Sequence, residues 1–156
     1  MKLRHLIIAA CAMTTSTASA QKALYIPNEW KAQRTDTLLY NETDTENKYT
    51  WSKSRSKESD NFIVYWDKYY GNTIPTNAPS TYKVDVDDLL KKAEFFYSLN
   101  IGKLAFCDEN NSKVSKYKMM ILLNHTTDWV CYGGGYDDMI GALWLSPNTC
   151  KPVGHS

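Results

Sequence analysis

Two cysteine–histidine pairs, Cys131 with His125 and Cys150 with His155, are the nearest this chain comes to a nucleophile beside its base. Such a pair works when the histidine takes the thiol proton and a third group orients the ring. Neither pair has an orienting group at a readable spacing, nor the electropositive surroundings that favour a thiolate. Neither is read as catalytic. Zinc needs three or four converging His, Cys or carboxylate ligands, and the chain contains no HExxH and no paired CxxC. The triplet Gly133-Gly134-Gly135 runs into Tyr136-Asp137-Asp138 rather than Lys-Ser/Thr, so it is not a phosphate cradle. Asp137 and Asp138 are adjacent, and consecutive side chains on a strand face opposite ways, which rules out a paired acid and base. They read as a turn exit, one carboxylate solvated and the other bonding the loop backbone. Asp85-Val86-Asp87-Asp88 lacks the glycine and closing glutamate of a calcium loop and reads as a helix cap.

These groups must be positioned by an α+β fold, a twisted mixed sheet of about four to five strands with one main helix packed on it. Asn61–Asp67, NFIVYWD, is β-branched, aromatic and apolar on both faces, which predicts a central strand covered on each side. Asp85 opens the helix. Leu89, Leu90, Ala93, Phe96, Tyr97 and Leu99 form its apolar stripe, and Asn100 with Gly102 should end it. Leu104–Cys107 is expected to be a short strand and Tyr117–Leu123, YKMMILL, a second buried one. Asp128–Tyr132 reads as a shorter strand that the glycine triplet breaks. Met139–Leu145 reads as the last strand, with Gly141 marking a bulge or a close backbone approach. After a turn at Ser146-Pro147-Asn148, Pro152 has the form of a helix start. Residues 21–60 are rich in Thr, Asn, Asp, Glu, Lys and Ser. They read as a loop-rich lead-in too polar to order itself, with Arg55, Lys57 and Glu58 on a solvated face.

Residues 1–20 read as an export signal. Lys2 and Arg4 are its basic start, Leu6–Met13 its apolar run, and Ala18-Ser19-Ala20 its cleavage site. The run is too short to span a bilayer, which takes about 20 residues, and no second long apolar segment predicts a transmembrane helix. Ile8-Ala9-Ala10-Cys11 also has the form of a lipoprotein site, ranked second because Cys11 follows so short an apolar run. The formal net charge is +1, which leaves no generalised basic surface and excludes nucleic acid as an expected partner. Without the leader three cysteines remain, an odd number that argues against a full disulfide framework. A Cys131–Cys150 bridge is one option; the preferred reading makes Cys107 and Cys131 small buried hydrophobes.

The segments WSKSRSKESDNFIVYW (Trp51–Trp66) and GYDDMIGALWLSPNTCKPVG (Gly135–Gly154), with DVDDLLKKAEFFYSLNIGKL and SKYKMMILL between them, closely resemble a family of secreted bacterial proteins. In that family the CKPVG segment leads into a helix carrying an HExxH motif of the zincin-like metallopeptidases. The resemblance covers about Trp51–Ser156 and implies a partial zincin-like domain over residues 61–156 that stops before its active-site helix. By the same resemblance Trp129, Val130, Cys131 and Tyr132 would be the edge against which an extended peptide or protein substrate lies. Met139–Leu145 would then feed the missing helix. No catalytic residue and no metal ligand falls in this chain, zinc being expected only in complete relatives, so the implied chain is inactive as given. Ile140, Leu143, Trp144 or their neighbours would be left open to water. The alternative is a secreted module that binds glycan or peptide through its aromatics or an edge strand.

Overall fold

A computed structural model describes residues 21–31 and 39–151. The predicted leader with Cys11, Leu38, and the Pro152 helix start with His155 lie outside the described residues. In chain order the elements are α1 (Asn28–Lys31), β1 (Tyr40–Asn41), β2 (Trp51–Ser52), β3 (Ser56–Glu58), β4 (Phe62–Trp66) and α2 (Val86–Tyr97). They continue with β5 (Met119–Leu123), β6 (Cys131–Tyr136), β7 (Ile140–Leu145) and α3 (Pro147–Cys150). The main sheet has the order β3-β4-β5-β7-β6. Its three inner strands β4, β5 and β7 are parallel, and the outer strands β3 and β6 run antiparallel to their neighbours. This is the expected α+β architecture, a mixed five-stranded sheet with one main helix.

Strands β4 and β5 are apolar on both faces because both faces are covered. Val64, Trp66, Ile121 and Leu123 point to one side, and Ile63, Tyr65, Met120 and Leu122 to the other. Parallel neighbours cannot be joined by a tight turn, and α2 is the crossover from β4 to β5. Asp85 caps it, its carboxylate accepting the N–H groups of Asp87 (3.1 Å) and Asp88 (3.0 Å). The helix buries Val86, Leu90 and Tyr97, with Leu89 and Ala93 packed alongside.

Three expectations about the middle of the chain are corrected. The α-helix does not run to Asn100 and Gly102 but stops at Tyr97. It passes into a π-helical turn over Ser98–Lys103, where the Leu104 N–H reaches the Leu99 carbonyl at 2.9 Å. Leu104–Cys107 is not a strand. Its backbone turns back instead, with the Phe106 N–H on the Asn100 carbonyl (3.1 Å) and Ala105 left-handed at φ 51°. Cys131 is exposed rather than buried, while Cys107 and Cys150 are half-buried.

The polar lead-in also orders, against expectation. Trp30 and Trp51 stack with centroids 6.0 Å apart and pack on Ile63, Tyr65, Met120, Ile140 and Ala142. Arg55, expected on a solvated face, is 3% exposed. Its guanidinium donates to Asp44 (3.1 Å), to Asn47 (3.0 Å) and to the carbonyls of Tyr49 and Thr50. Asp44 also accepts the backbone N–H groups of Glu46, Lys48 and Tyr49. Charge-assisted bonds around one buried pair, with two tryptophan anchors, replace the apolar run a loop of this composition lacks. The lead-in also supplies β3, whose Glu58 receives the buried Lys118 ammonium at 2.8 Å.

The two faces of the sheet are therefore covered unequally. The lead-in covers the β7 side of its own face, so Ile140 is buried and Trp144 half-buried. On the other face α2 lies over β4 and β5. Of the β7 residues that point to this side, Leu145 is buried in the α2 cluster and Leu143 is exposed. Among the described residues no helix is long and apolar enough to cross a membrane.

Candidate functional site: the outer edge of β6

The glycine triplet does not break the strand; it runs through it. Gly133, Gly134 and Gly135 pair in register with Leu143, Ala142 and Gly141. Two of the three are demanded by neighbours. A Cβ at Gly134 would sit 3.1 Å from the Trp144 ring, and one at Gly135 only 2.8 Å from the Ile140 carbonyl oxygen. A Cβ at Gly133 would meet nothing within 4 Å. The hairpin closes through Asp137 and Asp138, both left-handed (φ 53° and 52°), with the Met139 N–H on the Tyr136 carbonyl at 2.8 Å. Two consecutive left-handed residues make the primed turn that matches strand twist. Asp137 accepts the Asn28 N–H and the Tyr25 hydroxyl, each at 2.8 Å. These bonds hold its carboxyl below the usual carboxylate range. The two aspartates thus lie in the turn itself, and the bonded one ties the hairpin tip to the lead-in.

The Ser146 N–H donates to the Val130 carbonyl at 3.0 Å, and that bond sets the phase of the β6–β7 ladder. Hydrogen-bonded and non-bonded pairs alternate in an antiparallel ladder. Tyr132, Gly134 and Tyr136 therefore turn their N–H and C=O groups inward to β7. Cys131, Gly133 and Gly135 turn theirs outward. β6 is the last strand of the sheet on that side, so this row has no strand partner among the described residues.

Side chains flank the row unevenly. On the lead-in side Tyr132, 55% exposed, stacks parallel on Trp144 with centroids 4.8 Å apart. On the α2 side the hairpin offers Cys131, Leu143 and the buried Leu145 beside Gly133, Gly135 and Gly141. Gly141 faces Gly135 in regular pairing, so no bulge forms there. Of the four edge residues read from the sequence, Cys131 and Tyr132 lie in the strand, and Trp129 and Val130 lead into it. Val130 is anchored: its N–H reaches Ser146 Oγ at 3.2 Å, and its carbonyl accepts Thr149 Oγ1 at 2.9 Å. Trp129, just before it, is 72% exposed.

Residues 16–156 match the family of unknown function DUF6055. The chain belongs to that family. No curated protein and no solved structure matches it.

The other candidate chemistry in this DUF6055 chain is dispersed. His125 lies in an aromatic nest, stacked on Tyr82 (3.8 Å between centroids) and edge-on to Tyr70 (4.7 Å). Burial pushes the Cys150 thiol up to about 11, which keeps it protonated near neutrality. Its proposed partner His155 lies outside the described residues. No group of three or more His, Cys, Asp or Glu able to hold a metal exists among the described residues. The donor set zinc requires is not there, and no metal-dependent step is assigned to them. One group escaped the sequence reading. Asp67, at the carboxyl end of β4, has its acid pushed up by burial while accepting the Tyr69 N–H at 2.9 Å. Its position at a strand end was the available signal, and its bond marks it as a cap.

Proposed function

We propose that this domain is the substrate-binding sheet of an exported, zincin-like metallopeptidase, with the outer edge of β6 as the seat of an extended peptide. The metal ligands in this reading lie outside the described residues. The observation that carries it is the place of β6. It precedes β7 in the chain yet lies beyond it in the sheet, antiparallel, with its own outer row of backbone groups open. An extended peptide laid there gains main-chain hydrogen bonds from Cys131, Gly133 and Gly135, the usual currency of strand addition.

The test exploits the phase of the ladder. Gly133→Pro deletes an outward donor and leaves the bonds to β7 intact, since proline is tolerated where the N–H faces away from the sheet. Gly133→Ala keeps the donor. With casein, an extended polypeptide, as the probe, Gly133→Ala should bind like the parent and Gly133→Pro should lose binding at least tenfold. Equal binding by all three contradicts the proposal.

A second reading, a glycan-binding module, is favoured by the exposed Trp129 and the Tyr132–Trp144 stack, which offer flat faces to sugar rings. Oligosaccharide binding that is lost in Tyr132→Ala and indifferent to Gly133→Pro would select it.

A further inference from the structure

The three cysteines among the described residues are all free thiols. Cys107 lies apart, beyond α2, its sulfur 3.9 Å from Ser112 Oγ. The other two sit on segments bonded to each other, the start of β6 and the end of α3. Cys131 is the cross-strand partner of Leu145, so the two project from the same side of the sheet. Cys150, at the end of α3, packs against the cluster that contains Leu145. The residues just before the two cysteines are bonded to each other, Thr149 Oγ1 to the Val130 carbonyl at 2.9 Å. That carbonyl also takes the Ser146 N–H at 3.0 Å. The turn after β7 is thus pinned to the start of β6, with one thiol on each side of the seam. Burial is what chiefly disfavours ionisation of Cys150, and charge on Cys131 adds to it.

We propose that Cys131 and Cys150 form a disulfide, closed by exchange with a small-molecule disulfide such as oxidised glutathione and leaving Cys107 reduced. The exposed Cys131 reacts first. Its thiolate attacks one sulfur of glutathione disulfide, a mixed disulfide forms, and one glutathione thiolate leaves and takes a proton from water. Cys150 then gives its proton to solvent and attacks Cys131 Sγ, and the second glutathione leaves. Two protein thiols are oxidised and one small disulfide is reduced to two thiols. Burial of Cys150 makes the second step the slow one near neutrality and speeds it as pH rises. The bond fastens the first residue of the free edge to the segment following β7. It stands apart from the peptide-binding reading, and either can fail without the other.

The full chain is incubated with oxidised glutathione, quenched by alkylation and digested for peptide mapping by mass spectrometry. A Cys131–Cys150 cross-linked peptide should form in a yield independent of protein concentration, with Cys107 alkylated. A Cys150→Ser chain should halt with glutathione on Cys131. In the unsubstituted chain, stable glutathione on Cys131 beside an alkylated Cys150 overturns the proposal. So does a Cys131 bond between two chains, or one that includes Cys107.

Discussion

Replacing Arg55 by methionine asks whether the polar lead-in is a structural part of the domain. Methionine keeps much of the stem's packing and removes the guanidinium. Asp44 then retains its three backbone donors and loses its counter-ion, in a pair whose side chains are each 3% exposed. Breaking a buried ion pair from one side costs about 3–5 kcal/mol. The buried Arg55 Nε has no hydrogen-bond partner, and its removal returns some of that, so about 3 kcal/mol is expected. In a domain of this size that lowers Tm by about 10 °C. Urea unfolding followed by tryptophan fluorescence measures it, with Trp30 and Trp51 stacked in the same layer. A cycle with Asp44→Ala isolates the pair: the double variant should cost less than the two singles together by at least about 1 kcal/mol. An Arg55→Met chain within about 0.5 kcal/mol of the parent, or an additive double variant, would refute the reasoning.

Three more outcomes follow from named contacts. Trp30→Ala removes a ring packed on Trp51, Tyr65 and Tyr136, and should cost about 3–5 kcal/mol by urea unfolding. Gly135→Ala sets a Cβ against the Ile140 carbonyl and should cost about 1–3 kcal/mol, whereas Gly133→Ala, facing open space, should stay within about 0.5. The third concerns acid. Burial works to raise the carboxyls of Asp44, Glu58 and Glu94, but hydrogen bonds outweigh it and hold all three below their ordinary values. For Asp44 these come from the Tyr49 N–H and Arg55, for Glu58 from Lys118 and Lys53, and for Glu94 from Ser59 and Asn61. A depressed folded pKa contributes stability that is present above the unfolded value and lost as pH falls through the folded one. Tm should therefore be level above about pH 5 and fall steadily below about pH 4.

What could be read from the sequence was whatever carried its own periodicity. NFIVYWD is β-branched and aromatic, YKMMILL ends in five consecutive apolar residues, and both runs are short and bounded by polar turns, which reads as buried strands. Asp85 announces its helix by local chemistry alone. What escaped depended on contacts made far along the chain. Nothing in TDTENKYT shows that Asp44 will meet Arg55 eleven residues on, or that Trp30 will cover Tyr65. The glycine triplet reads as a breaker by propensity, and only the Trp144 ring across Gly134 and the carbonyl against Gly135 explain why glycines belong in a strand there. The candidate edge was half legible. Its residues were named through the family resemblance, carried over by element order, but the outward row of Cys131, Gly133 and Gly135 needed the register with β7.

Amide hydrogen exchange on β6 tests the central claim most directly, with casein as the probe. In the free protein Cys131, Gly133 and Gly135 should exchange quickly while Tyr132, Gly134 and Tyr136, bonded to β7, exchange slowly. On saturation the outward three should slow by at least tenfold and the inward three change little. Outward amides that exchange equally fast with casein bound would contradict the account.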